Sequence, residues 1–225
     1  MSKHLDRDIS SLRDHVLELG QRVAEMIEKS ILMVQNYDRV LVQEIYTTEE
    51  AINDMEVDVE EECLKILALH QPVAEDLRFL IVVLKVNNDL ERMGDQVVNV
   101  AERIEYIADK QRVVADLKLT IMADLCANMV NGAIMALTQR DVAKAKEIVL
   151  LDDELDSLHA GTYEQLTKVM MDRPESITPA LSLLTISSNL ERIGDLATNI
   201  AEEIIFMEEG EIIRHAKTAL KSVSS

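Results

Sequence analysis

The sequence predicts an all-α protein of two tandem, pseudo-symmetric three-helix bundles, six long helices in all, and three observations predict it. Of 225 residues 48% are hydrophobic but only 3% aromatic, with six Gly, three Pro and no Trp, a composition that suits helices. Apolar residues recur at spacings of three and four. One segment also occurs twice: Leu90-Glu-Arg-Met-Gly-Asp95, followed by Asn99, Ala101 and Glu102, returns 100 residues later as Leu190-Glu-Arg-Ile-Gly-Asp195, followed by Asn199, Ala201 and Glu202. From 84 to 104, ten of 21 residues match their counterparts, which is an internal duplication.

The helices follow in order. The first, 5–36, carries Val16, Leu19, Val23, Met26, Ile27 and Ile31 on one stripe, and the fourth, 114–138, repeats it with Leu117, Ile121, Leu125, Met129 and Ile134. The second and fifth, 39–69 and 142–171, are related by a register of 103 residues: Asp38 answers Asp141, Glu44-Ile45 answers Glu147-Ile148, and Glu49 answers Asp152. The third and sixth, 74–108 and 176–208, hold the repeated segment. The register falls from 103 to 100 between the second and third helices of each unit, where Gln71-Pro72 and Arg173-Pro174 forbid a continuous helix. The connection in the second unit is therefore the shorter.

Long helices joined by short turns pack antiparallel, so the expected units are 1–110 and 111–210, followed by a polar tail, 211–225. Gly94 and Gly194 stand mid-helix, where Gly costs about 0.5–1 kcal/mol relative to Ala, and predict close helix contact.

The net charge is −19, from 42 acidic and 23 basic residues, which repels a polyanion and argues against binding nucleic acid. Cys63 and Cys126 match no paired-cysteine metal spacing and read as core thiols in a reducing compartment. The N-terminal residues have no apolar signal core, and the longest apolar run, Phe79–Leu84, stops at Lys85, so neither export nor a membrane span is expected.

The candidate chemistry lies in oxygen-bearing stripes. On the third helix Glu91, Asp95, Asn99 and Glu102 fall within roughly 80° of one another, and on the sixth Glu191, Asp195, Asn199 and Glu202 repeat the stripe. The second helix offers Glu49 and Asn53 at i, i+4, and the fifth offers Asp152 and Asp156. Like charges so close repel unless a cation lies between them. Oxygen-only ligation suits Mg²⁺, Mn²⁺, Ca²⁺ or iron and not a thiolate zinc site. The competing reading of each stripe is the solvated face of an amphipathic helix. His159, three residues after Asp156, shares the face of that pair. No phosphate-binding Gly-rich loop, nucleophile elbow or Cys/His pair is present.

The twin Leu-Glu-Arg-(Met/Ile)-Gly-Asp segments, together with Gln71-Pro72-x-Ala74-x-Asp76-Leu77-Arg78, resemble the PhoU family, and the resemblance runs from about residue 5 to 210. It implies two all-helical bundles, frequent homodimers, and multinuclear iron or similar clusters on the bundle surfaces, with Mn, Mg, Ca, Zn or Ni as other possible ions. It also implies a cytoplasmic negative regulator of the phosphate regulon, peripheral to the membrane only through its partners. Those partners are the phosphate ABC importer, through its ATPase subunit, and the phosphate-sensing histidine kinase. The family's acidic motif, a carboxylate and, four positions on, an Asp, maps onto Glu91/Asp95, Glu191/Asp195 and Asp152/Asp156. In the remaining copy Asn53 stands where Asp is common, so the first unit is expected to bind metal less tightly.

Two other readings compete with a metal-binding adaptor. One is a carboxylate-bridged metalloenzyme, an oxidase or a phosphatase, although a ferritin-like di-iron centre wants Glu-x-x-His on two helices and the chain offers only Asp156-x-x-His159. The other is a metal-free helical partner whose acidic stripes dock on a basic surface.

Overall fold

The computed structural model describes residues 3–110, 112, 113, 115 and 117–209; the expected tail, 211–225, lies outside them. Six α-helices account for most of the described chain: α1 Lys3–Asn36, α2 Arg39–His70, α3 Ala74–Ile107, α4 Leu119–Gln139, α5 Val142–Asp172 and α6 Ile177–Glu209.

The ends of the helices show why the duplication folds the same way twice. Asp38 caps α2, its Oδ1 accepting from the Val40 amide at 2.8 Å, and Asp141 caps α5, accepting from the Lys144 amide at 3.0 Å. Each satisfies an otherwise orphaned amide of the first turn. The residue before each cap, Tyr37 or Arg140, turns through the left-handed region (φ 56° in both) and ends α1 or α4. After α2 the chain uses Gln71 to Val73 before α3 begins; after α5 it passes at once through Arg173 into a 3-10 turn, Pro174–Ser176, that takes the place of the first turn of α3. Gln71 to Val73 thus have no counterpart in the second unit, which is where the register drops by three.

α1, α2 and α3 pack together, as do α4, α5 and α6, and the two units meet along α3 against α6 and α1 against α4. One hydrophobic core runs through both. Its members include Leu12, Leu19, Met26 and Ile27 of α1, Phe79 and Leu90 of α3, and Met122 and Met129 of α4, all with at most 2% of their surface exposed. Burial of each such side chain stabilises by about 1.5–3 kcal/mol.

Two details differ from the sequence reading. α4 begins at Leu119 rather than 114: its first residue follows Lys118, which provides no side-chain cap. The chain before it is held against the end of α1, where Arg112 lies 4.5 Å over the Tyr37 ring and donates to the Asn36 carbonyl at 3.2 Å. The second detail concerns glycine. A Cβ at Gly194 would fall on Leu155 Cδ2, so α5 and α6 do approach closely there; at Gly94 the nearest atom, Ile52 Cγ2, is 3.7 Å away, an ordinary contact.

Helix α4 is also long and apolar enough to cross a membrane by length and composition, although Asp124, Asn128 and Asn131 interrupt it so that it holds no long unbroken apolar run. Here it is a core helix, with Met122, Cys126, Met129, Val130 and Ala133 fully buried against its neighbours.

Candidate metal centre

The packing of α2 on α3 gathers the first set of predicted residues. Glu49 and Asn53 project from α2, and Asn53 Nδ2 donates to Glu49 Oε1 at 2.6 Å. Glu91 of α3 is half-buried, and Asp95, one turn on, is exposed. Burial pushes the Glu91 carboxyl above the usual carboxylate range, and the nearby charges of Asp95, Glu56 and Glu49 push it further, against Arg92. Three carboxylates therefore lie close enough to Glu91 to act on it.

Glu56 is the member that sequence reasoning missed. It lies on α2 three residues after Asn53, and burial, then Glu60, raises its carboxyl. Asn87 of α3, only 1% exposed, holds it in place: Asn87 Nδ2 donates to the Glu56 carbonyl at 2.9 Å and lies 3.3 Å from Glu56 Oε1. The signal lies in the sequence, because Glu56 answers His159 in the register of 103. With Glu56 counted, the carboxylates of the α2/α3 patch are Glu49, Glu56, Glu91 and Asp95.

Two buried oxygens in this patch have no hydrogen-bond partner, Asn53 Oδ1 and Asn87 Oδ1. A buried acceptor without a donor costs about 1–3 kcal/mol. Unpartnered amide oxygens beside mutually repelling carboxylates are what a hard cation relieves, so the donor set fits a metal. Among the described residues no three His, Cys, Asp or Glu side chains already stand in ligating positions.

In the second unit the predicted residues occupy the corresponding positions of α5 and α6. Asp152 is 1% exposed and accepts from Thr198 Oγ1 of α6 at 3.3 Å, which draws it between the helices close to Cys126. Asp156 and Asp195 are exposed and Glu191 is half-buried. His159 Nδ1 lies 2.8 Å from Ser187 Oγ, one turn before Glu191. Of the outer members of the stripes, Glu102 lies beside Tyr46, with Arg103 at 3.8 Å, Glu202 and Asn99 are half-buried, and Asn199 is exposed.

The profile of the PhoU domain matches this chain twice, over residues 16–104 and 119–204. The chain belongs to the PhoU family. Its relatives include the phosphate-specific transport system accessory protein PhoU homolog of Aquifex aeolicus, 31% identical over 211 residues, or 94% of this chain and 96% of that one. Among solved structures, PhoU from Pseudomonas aeruginosa superimposes with a TM-score of 0.89 at 30% identity, covering 92% of this chain and 99% of that one. The phosphate transport system regulatory protein PhoU from Streptococcus pneumoniae gives 0.85 at 31%, covering 92% and 98%. PhoU proteins are non-catalytic regulators, so this chain is not an enzyme and the metalloenzyme reading falls.

Proposed function

We propose that this PhoU protein is a metal-dependent adaptor of phosphate signalling. It works at the cytoplasmic face of the membrane, as a homodimer, and links the ATPase subunit of a phosphate ABC importer to the phosphate-sensing histidine kinase so that the starvation response stays repressed. Relatives that carry the name of a phosphate-specific transport accessory protein over nearly their whole length support the role in phosphate uptake and signalling. The observation that carries the metal part is the patch of Glu49, Glu56, Glu91 and Asp95 beside the two unpartnered amide oxygens.

In this reading iron is the leading ion and Mn²⁺ the next. Residues of α2 and α3 would hold it in the first unit, and those of α5 and α6 in the second. The ion would supply positive charge to an otherwise acidic surface. The chain's own residues set where that charge sits, because the α2/α3 and α5/α6 packing fixes the carboxylate backbones. A partner that reads this surface meets a less negative charge in the loaded form than in the stripped one.

The test uses the full chain, untagged, with its metal content measured before and after chelation. Binding to the importer ATPase subunit and to the kinase's cytoplasmic portion is then measured for both forms. Binding that weakens on chelation and returns on adding Fe²⁺ or Mn²⁺ supports the proposal. Equal binding of both forms refutes the metal dependence, and failure of either partner to bind the loaded form refutes the link.

A further inference from the structure

At the end of the molecule where α1 and α3 begin and α4 stops there is a cleft of about 520 Å³, lined by none of the carboxylates of the patches above. Its walls include Ser10 and Arg13 of α1, the start of α3 from Val73 to Asp76, and Arg140, which ends α4. In the register of 103 Tyr37 answers Arg140, and there the chain's own Arg112 covers the ring at 4.5 Å. The pairing of Arg13 with Arg140 is therefore not part of the repeated plan.

Three sets of donors meet here with too few acceptors. The Arg13 guanidinium lies 4.9 Å from the centre of the Phe79 ring, and its Nε is buried without a hydrogen-bond partner, a costly state for a charged donor. Arg140 comes no closer than 3.6 Å to Glu208 Oε1, which is too long for a hydrogen bond. Helix α3 starts at Val73 with no side-chain cap, so the amides of its first turn are open to another acceptor, and a helix N-terminus favours an anion. The carboxylates nearby do not make up the difference: burial and then Arg140 lower the Arg13 pKa, and Glu208 and Asp76 offset only part of that.

Asp6, Glu75 and Asp76 also line the cleft, and their presence selects among anions. A carboxylate repels an anion that has lost every hydrogen, but accepts a hydrogen bond from one that keeps one. At neutral pH inorganic phosphate keeps at least one hydrogen, whereas sulfate keeps none. We propose that this cleft binds a phosphate oxyanion, held by Arg13, Arg140 and the first amides of α3, with Asp76 accepting the hydrogen of the ion. A phosphate monoester has the same oxygens but as a dianion has no hydrogen to give, so free phosphate is the preferred source. Because α1 and α3 belong to the first unit and α4 to the second, the bound ion bridges the two units.

The experiment dialyses the full, untagged chain against radiolabelled inorganic phosphate at neutral pH, in chelator so that no metal holds the ion, with sulfate and glycerol phosphate as competitors. The expected result is saturable binding of phosphate, with sulfate and the monoester weaker by roughly tenfold or more. Arg13→Lys keeps the charge but loses the fork of donors, and Arg140→Asn suits the left-handed backbone at that position. Each should weaken phosphate by about tenfold or more in protein whose circular dichroism is unchanged. Asp76→Asn should narrow the gap between phosphate and sulfate. If Arg13→Lys does not fold, Arg140→Asn alone decides. Absence of saturable phosphate binding, sulfate binding as tightly as phosphate, affinity unmoved in folded Arg140→Asn, or a gap unmoved by Asp76→Asn overturns the proposal. None of these outcomes touches the adaptor or metal readings, which do not depend on the cleft.

Discussion

Lys85 of α3 and Glu203 of α6 form a 2.7 Å ion pair across the seam between the two units, with the Glu203 side chain only 10% exposed. The Lys85 ammonium also lies 5.8 Å from the centre of the Phe206 ring. Neither residue is matched in kind in the other unit, where Thr185 answers Lys85 and Arg103, of opposite charge, answers Glu203. The pair therefore belongs to the seam and not to the repeated plan. Lys85→Met should lower the unfolding free energy by about 1–3 kcal/mol, since it removes the cation from a buried carboxylate. The double change Lys85→Met with Glu203→Leu should recover most of the loss. Urea denaturation of the three proteins checks this, and a double variant less stable than Lys85→Met would refute it.

The glycines give a graded test of packing. A Cβ at Gly20 of α1 would lie 2.5 Å from Ile134 Cγ1 of α4, whereas at Gly94 the nearest atom is 3.7 Å away. Gly94→Ala should leave stability unchanged or raise it by about 0.5–1 kcal/mol through helix propensity. Gly20→Ala should lower it by about 1–3 kcal/mol, because a branched, well-buried side chain must move. Gly194→Ala should fall between them, since the obstructing Leu155 Cδ2 is the end of a side chain. Thermal melts in which Gly94→Ala is the most damaging of the three would contradict this ordering.

How much of this was legible in the sequence depends on which interactions set each feature. The six helices and the duplication were readable because a packed core imposes a stripe of period 3.6 and a repeated core repeats the stripe. The start of α4 was not, since Arg112 stacking on Tyr37 is a contact between distant residues. The stripe on α3 was readable as far as Glu91 and Asp95. Glu56 escaped because its place in the patch depends on Asn87, an internal hydrogen bond of α3 to α2 that no spacing reveals. The burial of Asp152 likewise depends on Thr198, where the first unit has Val98.

Asp8 of α1 and His70 at the end of α2 lie 2.9 Å apart. The hydrogen bond from His70, and then that from Arg7, holds the Asp8 carboxyl below its usual range. A carboxylate whose folded pKa is depressed contributes stability that is present above its unfolded pKa and lost as pH falls through the folded one. Stability should therefore decline as pH drops below about 4, and Asp8→Asn should make that part of the decline shallower. Equilibrium unfolding at a series of pH values measures it, and identical slopes for the two proteins would refute the contribution.

The thiols should be silent in the folded protein. Cys63 and Cys126 are both fully buried; burial pushes the Cys63 thiol up to about 12 and the Cys126 thiol higher. Since the thiolate is the reactive form, neither should react with a water-soluble disulfide reagent in native buffer, and both should react once the chain is unfolded. Rapid modification of either in native buffer would show that its helix opens readily.

Glu91→Gln should change sign with metal. In the stripped protein Glu91 is partly buried and repelled by Asp95, Glu56 and Glu49. A neutral amide of the same shape relieves that repulsion, and stability should rise by about 0.5 kcal/mol, in keeping with like-charge pairs near a surface. In the loaded protein the carboxylate is a ligand. An ion that binds only the folded chain stabilises it by an amount that grows with its concentration over its dissociation constant, about 2.7 kcal/mol at a hundredfold excess. A glutamine at 91 weakens that binding, so with excess Mn²⁺ the variant should melt below the unmodified protein, whereas with chelator it should melt above it. A carboxylate that is merely a solvated surface charge gives no such crossing: the variant would keep the same small advantage with and without the ion. Melting curves for both proteins in chelator and in Mn²⁺ therefore separate a ligand from a surface charge, and parallel shifts in the two conditions would remove Glu91 from the site.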